Sequence, residues 1–262
     1  MKIDRVIFCL NSNPLFDGFW NSFSRVWRKK FSIVPTLFFS GSEEDLEKAN
    51  LSNEFGDVIR IDPVPEVVVD HGLDWSITWS FFWGPTLFPD EVCMTSGMDQ
   101  LPLSHIFFKA IASIPNDDYV VGFSDAYTGT DHFPSSHHVS KGKNFQKIYN
   151  IDASWEKEVK KVFEKGKVKF KDQLDKNLWA LDEVYSSKIL KDFMKTSPDK
   201  VHLMKGFWSD WHPRRICRSR DNEYSKDSLK NGEYTELHSP RPYTGGNKIY
   251  IDTLIKDLLS NE

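Results

Sequence analysis

The chain is expected to fold as an α/β protein with a mostly parallel central sheet covered on both faces. Two observations predict this. Short strand-like runs alternate with longer stretches of helical periodicity, and no hairpin signal separates the runs. Strands that alternate with helices in this way pair in parallel, with the helices covering both faces of the sheet.

Taken in order, Arg5-Val6-Ile7-Phe8-Cys9-Leu10 reads as a buried strand, Phe19 to Lys29 as a helix, and Phe31 to Phe39 and Asp57 to Ile61 as two more strands. A helical stretch near Trp75 to Trp83 leads into a strand at Glu91 to Thr95. A helix from Pro102 to about Ile114 follows, with Pro102 suited to a first helical turn, and then a strand from Tyr119 to Phe123. Beyond residue 130 the chain turns to loops rich in His, Ser, Lys and Gly, then two helical segments, then a loop-rich tail carrying Pro240, Pro242, Gly245 and Gly246. Within the lysine-rich segment from Trp155 to Lys176, Trp155, Val159, Val162 and Phe163 share one helical face. A solvated amphipathic helix accounts for that pattern, with contact to an anionic membrane surface as the alternative. No internal repeat interrupts the chain, so residues 1–262 are read as a single domain whose two halves meet near residue 125.

Composition narrows the function. Hydrophobic residues make up 39% and charged residues 27%, the balance of a globular chain long enough to bury a full core. A net charge of −4 argues against nucleic-acid binding, which leaves a basic footprint. Cys9 and Cys93 lie inside apolar runs and only Cys217 remains, which suits reduced thiols rather than a disulfide framework. The run Val6 to Leu10 is too short for a signal-peptide core, and no window approaches the roughly 18 apolar residues of a membrane span. The expectation is a cytoplasmic protein with no transmembrane segment.

Several residues are candidates for chemistry. Asp99 follows the apolar strand Val92-Cys93-Met94-Thr95. A carboxylate there stands where open α/β sheets bind ligands and is hard enough to hold a divalent cation; as a helix cap it would do neither. The loop Asn11-Ser12-Asn13-Pro14 and Asp62 follow other strands and suit a base or ribose edge, or a plain turn. Asp182-Glu183 opens a helical segment, either as a general base or as acids favoured by the helix dipole. His238 sits in a Pro-punctuated loop with Arg241 and Tyr243, where a guanidinium can reach phosphate or hold the loop. His137-His138 beside His132 lacks the ligand spacing of a zinc site. Phe207-Trp208-Ser209-Asp210-Trp211-His212 suits core packing or sugar stacking. The chain contains no Gly-x-Gly-x-x-Gly and no Walker loop, which argues against dinucleotide-dependent dehydrogenases and P-loop NTPases.

Four of these segments, in order, resemble the GT-A fold, nucleotide-sugar-dependent glycosyltransferases, in particular bacterial and viral enzymes of polysaccharide synthesis. The run Leu87 to Ser104 is similar to their metal-site strand, whose loop usually reads Asp-x-Asp; here it reads Gly97-Met98-Asp99 and the first acid is missing. Phe133 to Gly142 resembles the loop shaping the sugar and acceptor site, and Trp179-Ala180-Leu181-Asp182-Glu183-Val184-Tyr185 the segment where inverting members place the base. Tyr234 to Tyr243 resembles the C-terminal His-x-Pro-Arg-Pro-Tyr signature, whose His often completes the metal shell. The likeness runs from about residue 5 to 258. It implies a GT-A-like fold, with a nucleotide-binding half to about residue 125 and an acceptor-side half beyond. It also implies inverting transfer of a sugar from a nucleotide diphosphate sugar to a hydroxyl of a carbohydrate or lipid-linked acceptor. A manganese or magnesium ion would be held by Asp99 and His238. Asn11, Ser12, Asp62, Gly97 and Met98 would contact the donor, and Asp182 with Glu183 would supply the base, Asp182 being preferred. A hard cation wants several oxygen ligands, so the loss of one acid should weaken its site. The rival reading, motivated by Gly97, is a protein of this fold that binds nucleotide or carbohydrate without transfer.

Overall fold

A computed structural model describes residues 1–16, 18–63, 74–127, 129, 131–169, 180–205, 215–217 and 224–260. The segments 207–212 and 170–179, the latter including Trp179, lie outside the described residues. In chain order the elements are β1 (Arg5–Leu10), α1 (Phe19–Phe31), β2 (Val34–Ser40), α2 (Glu43–Ala49), β3 (Asp57–Ile61), α3 (Asp74–Thr78), α4 (Ser80–Trp83), β4 (Val92–Thr95) and β5 (Gln100–Pro102). There follow α5 (Ile106–Ile111), β6 (Tyr119–Val121), β7 (His138–Lys141), α6 (Gly142–Tyr149), α7 (Trp155–Lys169), α8 (Leu181–Thr196), β8 (Val201–Leu203), β9 (Arg215–Cys217), α9 (Lys226–Lys230), β10 (Glu236–His238) and α10 (Gly245–Leu259).

Seven strands form one sheet in the order β3-β2-β1-β4-β7-β6-β8. The pairs of β1 with β2 and β4, of β2 with β3 and of β6 with β8 are parallel, while β7 runs antiparallel to both β4 and β6. The expected α/β class with a mostly parallel sheet is therefore correct, with one reversed strand in its middle. Alternate residues of β1 explain why its whole run is apolar. Val6, Phe8 and Leu10 join the core on one face, and Ile7 and Cys9 join the core on the other.

The first face is covered by α1, whose Phe19, Trp20, Phe23, Val26, Trp27 and Phe31 are buried at helical spacing, and by Ile251, Leu254, Ile255 and Leu258 of α10. Ser32 closes α1 in the left-handed conformation at φ 56°, its N–H donating to Trp27 O, so Phe31 ends a helix instead of starting the expected strand. The second face is covered by α4, α6, α7 and α8; Trp155, Val159, Val162 and Phe163 of α7 are buried there, as their spacing predicts. No described helix is long and apolar enough to cross a membrane.

Two further expectations fail. Pro102 does not begin a helix but ends β5, the edge of a three-stranded sheet β5-β10-β9, where its missing N–H faces away from the ladder. The helix begins four residues later, at Ile106. The tail read as loop contains α10, whose buried face outweighs the weak helix propensity of Gly245 and Gly246.

Candidate functional site

The order of the large sheet reverses between β1 and β4, since β2 and β3 build outward from one side of β1 and β4 from the other. A crevice must open beyond the carboxyl ends of strands at such a point. A cavity of about 580 Å³ lies there, lined by Cys9 and Leu10 at the end of β1, Asn11 beyond it, and Gly97, Met98 and Asp99 just past β4. Its volume suits a ligand of nucleotide size. Asp182 and Glu183 from the first turn of α8, and His238 from the end of β10, line the same cavity.

The structure thus gathers Asn11, Gly97, Met98, Asp99, Asp182, Glu183 and His238 into one place. Two expected residues are not there. Ser12 is exposed in the loop after β1 and is not among the lining residues, because Asn11 and Asn13 turn that loop by accepting the N–H groups of Asn13 and Leu15 on their side-chain oxygens. Asp62 also lies outside the cavity: its carboxylate is largely exposed, 3.5 Å from Arg60, and its carbonyl accepts from Trp155 and Ser40.

Asp99 is held from two sides. Its Oδ2 lies 3.2 Å from His238 Nε2 and 3.2 Å from Arg241 Nε, and its carbonyl accepts the N–H of Ser239 at 2.7 Å. The Arg241 guanidinium lies over the ring of Phe16, 4.7 Å from its centre. Across the small sheet, Gln100, His238 and Cys217 are in register on neighbouring strands. The Gln100 side chain turns back so that its Oε1 accepts the N–H of Gly97 at 2.9 Å, closing the loop where the first acid would stand.

This donor set does not fit the divalent cation that the resemblance implies. One carboxylate and one imidazole are present, and the carboxylate oxygen that faces His238 also faces Arg241. No group of three or more His, Cys, Asp or Glu side chains among the described residues is placed to hold a metal ion. A hard cation needs about six oxygen ligands, and an oxygen paired with a guanidinium has little left to give one.

The carboxyl pair has a different character. Asp182 is buried and accepts hydrogen bonds from the hydroxyls of Ser135 and Thr78. Glu183 Oε1 accepts from the Tyr127 hydroxyl at 2.9 Å and from the Ser135 N–H at 3.2 Å. Burial pushes both carboxyls above the ordinary range, and the neighbouring Asp182 charge pushes Glu183 further. Two adjacent acids removed from water cannot both ionise cheaply, so they titrate as a pair. The residues mainly serving the helix dipole would sit in solvent; these face a cavity.

A third set is legible only in three dimensions. His137 and Arg215 line the cavity and both meet Glu236, at 2.5 Å from Nε2 and 2.6 Å from Nε respectively. The Arg215 guanidinium lies 4.8 Å from the ring centre of Phe123. Arg215 had no periodic or motif signal in the sequence, and Tyr127 had none either. His138, by contrast, is structural. It pairs with the Tyr119 hydroxyl and Pro134 O, and burial lowers its pKa to about 4, so the ring packs as a neutral group.

No family model and no curated protein matches the chain. Solved structures do match in fold. The galactosyltransferase LgtC, solved with donor and acceptor sugar analogs, is 12% identical and aligns over 97% of this chain and 96% of its own with a TM-score of 0.53. An active-site mutant of LgtC gives 0.55 at 12% identity, over 95% and 94% of the two chains. The glycosyltransferase GlyE of Streptococcus pneumoniae TIGR4 is 9% identical with a TM-score of 0.50; 99% of this chain aligns, spanning 64% of GlyE. The single-domain α/β architecture implied by the sequence resemblance is therefore the architecture found, with a central seven-stranded sheet like that of LgtC.

Proposed function

We propose that this protein is a glycosyltransferase that moves a sugar from a nucleotide diphosphate sugar to a hydroxyl of a carbohydrate or lipid-linked acceptor. The observation that carries the reading is the convergence of Asp99, His238, Arg241, Asp182 and Glu183 on one cavity at the carboxyl edge of the sheet. The fold shared with LgtC and GlyE supports it. Because the chain has only three cysteines and Cys9 and Cys93 are buried within strands of the large sheet, a reducing compartment such as the cytoplasm is the proposed setting.

In this reading the acceptor oxygen attacks the anomeric carbon. A carboxylate takes the hydroxyl proton, the new carbon–oxygen bond forms, and the bond to the diphosphate breaks with its electron pair leaving on the phosphate oxygen. Basic groups near that oxygen stabilise the developing charge. The family resemblance favours Asp182 as the base; our reading prefers Glu183. Asp182 is only 3% exposed and engaged by Ser135 and Thr78, while the Glu183 side chain retains 17% exposure. Asp182 then acts as the charge that raises the affinity of Glu183 for the proton. The divalent cation has no step in this scheme, for want of a donor set.

The test is to incubate the protein with a panel of nucleotide diphosphate sugars and simple saccharide acceptors, detecting product by mass spectrometry. Turnover with one donor, lost at least about a hundredfold in Glu183→Gln, supports the reading. Binding of nucleotides without turnover of any sugar would establish instead the binding-only protein. A base at Glu183 gives inversion. A product of retained configuration by NMR would strip the pair of that role while leaving the transferase reading standing.

A further inference from the structure

We propose that the Arg241 guanidinium, seated on Asp99, takes the place of a divalent cation in holding the diphosphate of the donor. The inference rests on the nucleotide-sugar reading above and goes beyond it by naming the group that bears the phosphate charge.

Three observations converge. The first acid of the loop is replaced by Gly97, and the Gln100 side chain closes over that position through the Gly97 N–H. The remaining carboxylate, Asp99, is occupied on one oxygen by both His238 and Arg241. Arg241 is fixed through its Nε and by the Phe16 ring, both residues lining the cavity. Held by those contacts, the guanidinium keeps its terminal amino groups as donors, and that planar fork matches two phosphate oxygens. Asp99 cancels a unit of its charge, so the grip relies on directed N–H bonds more than on net charge. A second guanidinium, Arg215, lines the same cavity.

The experiment is calorimetric titration of the full chain with UDP, GDP, CDP and ADP, once in EDTA and once with manganese. At least one should bind in EDTA, with its Kd changing less than about threefold on adding manganese. Arg241→Gln should weaken binding by about tenfold, roughly 1.4 kcal/mol. Arg241→Lys keeps the ion pair with Asp99 but lacks the fork, so it should also lose affinity. Combining Gly97→Asp with Arg241→Gln should make binding manganese-dependent. A Cβ at Gly97 would meet Gln100 Oε1 at 3.0 Å, the far end of a flexible side chain that can give way. Binding that appears only with manganese, or that neither Arg241 variant alters, overturns the inference and leaves the transferase reading intact. If none of the four binds in either buffer, the nucleotide-sugar reading itself fails and takes this inference with it.

Discussion

Glu236 Oε1 lies 2.5 Å from His137 Nε2, and both side chains are buried, His137 in the lining of the cavity. With Arg215 on the other carboxylate oxygen, one acid of β10 ties together the residue that leads into β7 and the first residue of the strand β9. Such a triad fixes where Arg215 stands, because a guanidinium gripped at Nε and stacked on Phe123 has few orientations left.

Glu236→Gln should therefore destabilise the fold by about 3 kcal/mol, the usual cost of stranding a buried ionic partner. It should also weaken nucleotide binding, since Arg215 loses its anchor. Urea unfolding and calorimetry check the two effects. A variant as stable as the parent would show that the triad contributes nothing net to folding.

The Tyr127 hydroxyl donates to Glu183 Oε1, and that bond lowers the carboxyl pKa that burial and Asp182 raise. Removing the donor in Tyr127→Phe takes away support for the charged form, so the pKa rises further. If ionised Glu183 is the base, the rising limb of kcat/KM against pH should move to higher pH by about half a unit to one unit. An unmoved profile would mean that the rate does not follow this carboxyl.

Gly142 opens α6, and a Cβ there would meet Pro85 O at 2.1 Å and Phe88 O at 2.4 Å, both backbone atoms. Gly142→Ala should cost about 3 kcal/mol by overpacking. Gly246, near the start of α10, has nothing within 4 Å of the same position. Gly246→Ala should stabilise by about 0.5–1 kcal/mol through helix propensity alone. Denaturant midpoints for the two variants should move in opposite directions, and a shared direction would contradict the packing described.

The sequence exposes whatever depends on local pattern. The runs at β1 and β4 are apolar because each is clamped between neighbouring strands, and the bounds of both, like those of the edge strand β3, are read to within a residue or so. The face of α7 is equally visible. Pro102 misleads because its strand exists only through pairing of Leu101 with Leu237, a partner in the last tenth of the chain that no window spans. The tail misleads because two glycines mask the Ile251, Leu254, Ile255 and Leu258 face of α10. In the cavity, Asp99, Asp182, Glu183 and His238 are foreseeable as acids and a histidine at element ends. Arg215 and Tyr127 are not, since each owes its place to a partner remote in sequence. Ser12 and Asp62 show the converse, the right residue type after a strand but turned away.

Glu183 provides a last test that separates function from folding. Its folded pKa is raised above the unfolded one, so the native state binds its proton more tightly than the unfolded chain. Whatever stability that proton confers is fully present below the unfolded value, and it is lost as pH rises through the folded value. Above that range the native state carries the cost of a buried carboxylate beside Asp182. Glu183→Gln keeps an oxygen for Tyr127 and for the Ser135 N–H but carries no charge. The variant should match the parent near pH 4 and exceed it by on the order of 1 kcal/mol above pH 8. A catalytic carboxyl held at a cost to the fold should therefore show a double signature, with turnover lost and alkaline stability gained in one substitution. Urea unfolding at the two pH values, beside the transfer assay, measures both. If the variant is less stable at alkaline pH, Glu183 is there to hold α8 in place, and the base must be sought elsewhere.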